Sequence, residues 1–231
     1  MGERVHDRVP FCMRVQFRNA SSFLVAYTVN LSRGGVFLET EEMLAVGSPI
    51  TLQLEVPDVG PSMLEGRVSW RRERADVDGP MGIGIEFEEM AGSLGTMIDQ
   101  LVADFGGITV LLVTGDAKDR VTITRQLKSI IATAEVVGAA DTRVAESVLD
   151  DEIDLILVDG DGDGDAVVHM IGAVQALFSP VPIVVMTSFE ETREKVRDAG
   201  ASEILPNPPS FGELQAAVMR ALGKPSAVAS K

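Results

Sequence analysis

The chain has 231 residues, 45% of them hydrophobic, and a formal net charge of −15. That length holds one large domain or two small ones, and a mean hydropathy of +0.18 is ample for packed cores. The acidic balance repels polyanions. It argues against non-specific binding to DNA or to an anionic membrane surface, but leaves room for a small anionic ligand held by a local arginine cluster. One cysteine, Cys12, rules out an intrachain disulfide and fits a reducing, cytoplasmic setting. No apolar run approaches the roughly 20 residues that would cross a bilayer. The opening Met-Gly-Glu-Arg-Val-His-Asp lacks the apolar core of a signal peptide.

In chain order, the first notable group is Arg4-Val5-His6-Asp7-Arg8, with no helical pattern and no apolar partner around it. A guanidinium is a rigid planar fork of donors with a stackable face, so two arginines at this spacing make an anion clamp. Short alternating runs follow at Met13–Arg18, Phe23–Val29, Val36–Glu39, Ile50–Val56, Met63–Trp70 and Ile83–Phe87, separated by Asn, Gly, Pro and Asp turn chemistry. They predict six strands in a small antiparallel β-barrel. Between the second and third lies Asn30-Leu31-Ser32-Arg33-Gly34-Gly35. An amide, a hydroxyl and a glycine that admits a ligand close to the backbone suit a purine edge, and Arg33 adds a candidate phosphate contact. Ser93–Phe105 reads as a helix with Ser93 as N-cap and Leu94, Met97, Ile98, Leu101 and Val102 on one face, ended by Gly106-Gly107.

Arg4 and Arg8 form an RxxxR tail, and Asn30, Ser32 and Gly35 form an (D/N)xSxxG turn, 22 residues from Arg8 to Asn30 (30 − 8). The pair resembles the PilZ family of cyclic di-GMP receptors over roughly residues 1–105. The text from Tyr27 to Thr40 looks like a variant abundant in gliding myxobacteria. The resemblance implies cyclic di-GMP as ligand, with Arg4 and Arg8 on phosphates and guanine faces, Asn30 and Ser32 on the guanine edge and Gly35 leaving room. It also implies an output in motility or cell polarity through a protein partner.

At Ile108 the pattern changes to five β–α alternations, which predict a doubly wound (βα)5 domain. Strand-like runs fall at Ile108–Val113, Glu135–Gly138, Leu155–Val158, Ile183–Met186 and Glu203–Leu205, with helices near 117–131, 142–149, 166–177, 190–199 and 210–222. The expected division is 1–106, 107–223 and a disordered tail 224–231. Residues 108–222 resemble the receiver domain of two-component signalling, which makes Asp159 the phosphoacceptor equivalent and Thr187 the phosphate-sensing hydroxyl. The resemblance is degenerate. The acidic pair that holds Mg²⁺ reads Thr114-Gly115, with Asp116 displaced by one. The phosphoryl-pairing lysine is Asn207, and the aromatic switch is Ile204. A pseudo-receiver is the expectation.

Other candidates weigh less. Asp159-Gly-Asp161-Gly-Asp163-Gly164 copies half of a calcium loop, but position 12 is Met170 and the segment follows a strand. Trp70 is read as core or rim rather than a base-stacking platform. Gly82-Ile-Gly84 lacks a third glycine, His6 between the two arginines is read as an exposed residue ahead of a ligand contact, and His169 has no second histidine at ligand spacing. No nucleophile or acid–base constellation is legible, so neither an enzyme nor a metal or cofactor protein is expected. Two alternatives to a cyclic di-GMP effector stand: a nucleotide-independent scaffold built from both domains, and a response regulator phosphorylated on Asp159 with a PilZ output.

Overall fold

In this computed structural model the described residues are 11–29, 34–56, 60–74, 81–89, 92–177, 181–224 and 226–229. The chain divides into two compact units, Met1–Asp104 with Pro225–Lys231, and Phe105–Lys224.

The first unit opens with strand β1 (Phe11–Gln16), whose Met13 and Val15 are buried while Arg14 and Gln16 are exposed. Helix α1 (Ala20–Val29) follows, where the alternation had predicted a strand over Phe23–Val29. The reason is local. The Asn19 side chain accepts a hydrogen bond from Ser22 N at 2.8 Å and its carbonyl accepts from Phe23 N at 3.2 Å, so Asn19 starts a helix instead of a turn. Ser22, Phe23, Leu24, Val25 and Ala26 are consecutive and all buried, a pattern a helix satisfies when it is covered on every side. Phe23 packs edge-on against Phe17, with centroids 5.2 Å apart.

Strands β2 (Gly35–Glu39), β3 (Pro49–Val56), β4 (Gly60–Arg72) and β5 (Gly82–Glu89) complete this region, with helix α2 (Gly92–Ala103) after them. On β2 to β5, Val36, Leu38, Ile50, Leu52, Leu54, Leu64, Val68, Ile83 and Ile85 face inward and are buried. Met97, Ile98 and Leu101 of α2 are buried, and Met97 Sδ lies 3.4 Å from the Ser62 hydroxyl on β4. Val102, expected on the same face, is 60% exposed. Strand β1 runs parallel to β3, not antiparallel. A parallel pair needs a long crossover, and α1 with β2 supplies it.

The second unit alternates strictly. Strands β6 (Ile108–Val113), β7 (Ala134–Ala139), β8 (Leu155–Asp159), β9 (Ile183–Met186) and β10 (Glu203–Leu205) are each followed by a helix. These are α3 (Ala117–Ile130), α4 (Thr142–Val148), α5 (Gly164–Gln175), α6 (Glu190–Asp198) and α7 (Phe211–Leu222). All pairings are parallel, in the order β10-β9-β8-β6-β7. Numbered within the unit this is 2-1-3-4-5 read from the other edge, the flavodoxin-like doubly wound order. Apolar strands buried on both faces form the centre, packed by Val167, Met170, Ile171 and Val174 of α5. Met170 is therefore core, not a calcium ligand.

The chain ends in strand β11 (Ser226–Ala229), antiparallel to β1 in the first unit, where a disordered tail had been expected. The first sheet thus runs β11-β1-β3-β4-β5-β2. The expected six-stranded antiparallel barrel is corrected on two counts. The described residues between 11 and 89 supply five strands, because one predicted strand is α1. The sheet curls as a half-barrel, and among the described residues no hydrogen-bonded ladder joins its edge strands β11 and β2.

Candidate functional site

Of the residues expected to hold a nucleotide, Arg4, Arg8, Asn30, Ser32 and Arg33 lie outside the described residues, and Gly35 lies within them. Gly35 opens β2 opposite Glu86 of β5, with Gly34 just before it in a left-handed conformation at φ 86°. A Cβ on Gly35 would stand 2.5 Å from the Ile85 carbonyl oxygen, a separation no side chain tolerates. The strand pairing therefore requires a glycine here irrespective of any ligand.

Phe37 lies on the same outward face, two residues along β2. Its ring stacks on Trp70 at 5.1 Å and 10°, and the Arg72 guanidinium carbon sits 5.6 Å from both ring centroids. Phe37 and Trp70 both pair with Gly84, from opposite sides. A Cβ on Gly84 would stand 2.0 Å from the indole nitrogen, and one on Gly82 would stand 2.6 Å from Phe37 Cζ. The Gly82-Ile-Gly84 pattern is thus a gap in β5 filled by rings from its neighbours, which is how aromatic side chains cover strand glycines.

In the second unit, chain order reverses between β6 and β8, the topological switch point where open α/β sheets gather ligands at their strand ends. Asp159 stands there at the end of β8. Its Oδ1 accepts from Asp161 N at 3.0 Å and from Asn207 Nδ2 at 3.0 Å, and its Oδ2 lies 3.4 Å from the Thr114 hydroxyl after β6. Asp161 is held more tightly. Its Oδ1 accepts from Thr187 Oγ1 at 2.7 Å and Ser188 N at 2.8 Å; its Oδ2 accepts from Ser188 Oγ at 2.8 Å and Asn207 Nδ2 at 3.1 Å. Burial alone would raise the Asp161 pKa. The bonds from Thr187, Ser188 and Asn207 outweigh it and hold the carboxyl below the ordinary Asp value of 3.8.

Asp116 is engaged elsewhere. Its carboxylate caps α3 through Lys118 N at 2.7 Å and Asp119 N at 3.0 Å, and those two backbone bonds lower its pKa. Arg120 donates to the Thr114 carbonyl at 2.6 Å and pins the same loop. The structure thus brings Asp159 and Thr187 into one network through Asp161 and Asn207, while Asp116 serves the helix. Within the Asp159–Gly164 run, Asp159 and Asp161 share Asn207 as a donor, whereas Asp163 caps α5 through Ala166 N at 3.0 Å. Sequence reasoning missed Asp161, Ser188 and Thr114 as site members. The signals were an acid two residues past the strand end and the Thr187-Ser188 pair.

Among curated proteins none matches the sequence. Among solved structures the chain is similar to the receiver domain of sensor histidine kinase PA1611 from Pseudomonas aeruginosa, at 27% identity, covering 51% of this chain and 99% of that one with a TM-score of 0.44. It is also similar to a response regulator from Thermotoga maritima, at 19% identity, 51% and 99% coverage and a TM-score of 0.46. A third is the chemotaxis response regulator CheY4 of Vibrio cholerae, at 22% identity, 50% and 98% coverage and a TM-score of 0.42. The PilZ domain family model matches residues 3–104. The chain joins a region matched by the PilZ domain model, carrying Arg4, Arg8, Asn30, Ser32, Arg33 and Gly35, to a parallel, doubly wound α/β unit.

Proposed function

We propose that the protein is a cyclic di-GMP-binding signalling effector whose receiver-like unit serves protein–protein interaction rather than phosphotransfer. The observation that carries this reading is the PilZ match over residues 3–104, a span that holds both the Arg4/Arg8 pair and the Asn30–Gly35 turn. The ligand carries two phosphates for two arginines, and guanine O6 and N7 accept an arginine fork. Binding brings the Arg4–Arg8 segment to the outer face of β2 beside Asn30, Ser32 and Gly35, with Arg33 as a further phosphate contact. The changed surface then alters which partner docks, a population shift driven by differential affinity. Motility or polarity is the output that the PilZ resemblance favours.

Hydrogen exchange of the full chain, with cyclic di-GMP, with cyclic di-AMP and without ligand, tests this. Protection of residues 1–10 and 30–35 by cyclic di-GMP alone is expected. Unchanged exchange in both segments at saturating nucleotide overturns the reading in favour of a nucleotide-independent scaffold.

A further inference from the structure

The donors at the switch point of the second unit are already fully used, and the group that uses them is the chain's own. Both Asp161 oxygens accept two hydrogen bonds, which fills the acceptor capacity of a carboxylate. On the donor side, the two hydrogens of the Asn207 amide serve Asp159 Oδ1 and Asp161 Oδ2. The Thr187 hydroxyl, fully buried, donates to Asp161 and accepts from Phe189 N at 3.2 Å. None of these donors is left over for a second anion. Among the described residues, the donors to Asp161 and Asp159 are hydroxyls, amides and backbone N–H groups, with no cation among them.

The partners come from three loops. Asp161 lies between β8 and α5; Thr187 and Ser188 lie between β9 and α6; Asn207 lies between β10 and α7. One carboxylate therefore links loops 26 and 46 residues away from it in sequence. A charged acceptor makes stronger hydrogen bonds than a neutral one, so this link holds the loops in one arrangement.

We propose that Asp161 is a built-in anion that locks these three loops together and occupies the donors any oxoanion on Asp159 would need, so that the second unit holds one phosphodonor-insensitive state. An added phosphoryl would have to displace Asp161 from four bonds and then sit beside its charge. The bonds that make the lock all lie within the second unit.

Hydrogen-exchange mass spectrometry on the full chain tests it with Asp161→Asn, which keeps the shape and removes the charge, and with Asp163→Ala as a local comparator that removes only the α5 cap. The proposal expects Asp161→Asn to speed exchange by roughly fivefold or more in 187–190 and 206–210 as well as in 160–164. Strands β6 and β8 stay protected, and Asp163→Ala changes only the start of α5. Acceleration confined to 160–164 would overturn it. If Asp161→Asn loses the protection of β6 and β8, Asn207→Ala takes its place: acceleration in both 160–164 and 187–190 supports the lock, and no change in 187–190 overturns it. A gain of one phosphoryl mass by the wild-type chain with acetyl phosphate and Mg²⁺, abolished by Asp159→Asn, also overturns it.

Discussion

Gly35 shows how one position can satisfy a ligand motif and a packing rule at once. A nucleotide motif asks for glycine there so that a ligand can approach. The Ile85 carbonyl, 2.5 Å from where a Cβ would stand, asks for it as well. Gly35→Ala is therefore expected to destabilise the first unit by about 1–3 kcal/mol, because β2 must move off β5. Chemical denaturation without nucleotide checks this, and a variant as stable as wild type would show that the strand accommodates the methyl. At Asp161, the folded-state pKa lies below the ordinary 3.8, so its contribution is present at neutral pH and lost as pH falls through the folded value. The urea midpoint of the second unit should decline on acidification below roughly pH 4, and less steeply in Asp161→Asn. Identical slopes in the two proteins would mean that Asp161 gains nothing from its four donors.

Elements were legible where they were long and periodic. The five βα repeats of residues 108–222 announced themselves by apolar strands and amphipathic helices, and the structure places each within a few residues of expectation. Helix α1 was not legible. Phe23-Leu-Val-Ala-Tyr has the β-branched and aromatic content of a strand, and its burial on every side erases the helical stripe. What decides it is Asn19, which reads equally well as a turn residue or an N-cap. Asn19→Ala should cost about 1 kcal/mol and reduce the helical far-ultraviolet signal near the midpoint. A loss without any change in that signal would argue that 20–29 is not held as a helix by this cap. The Asp161 network was illegible for another reason, since its partners are 26 and 46 residues away and periodicity says nothing about loops.

At the scale of the whole molecule, the chain leaves the first unit at Asp104 and returns to it at Pro225. The returning strand, Ser-Ala-Val-Ala, has no pattern of its own and takes its structure from the open edge of β1. A chain ending at Lys224 should therefore lower the thermal midpoint of the first unit by about 5 °C and leave the second unit unchanged. Equal midpoints would show that β1 needs no second neighbour. We propose that residues 3–104 hold cyclic di-GMP. Calorimetric titration of cyclic di-GMP into the full chain, beside Arg8→Ala, tests it most directly. Saturable binding at micromolar concentration or tighter, lost in Arg8→Ala, is the predicted result. No heat from a folded wild-type sample, or equal binding by the variant, would contradict it.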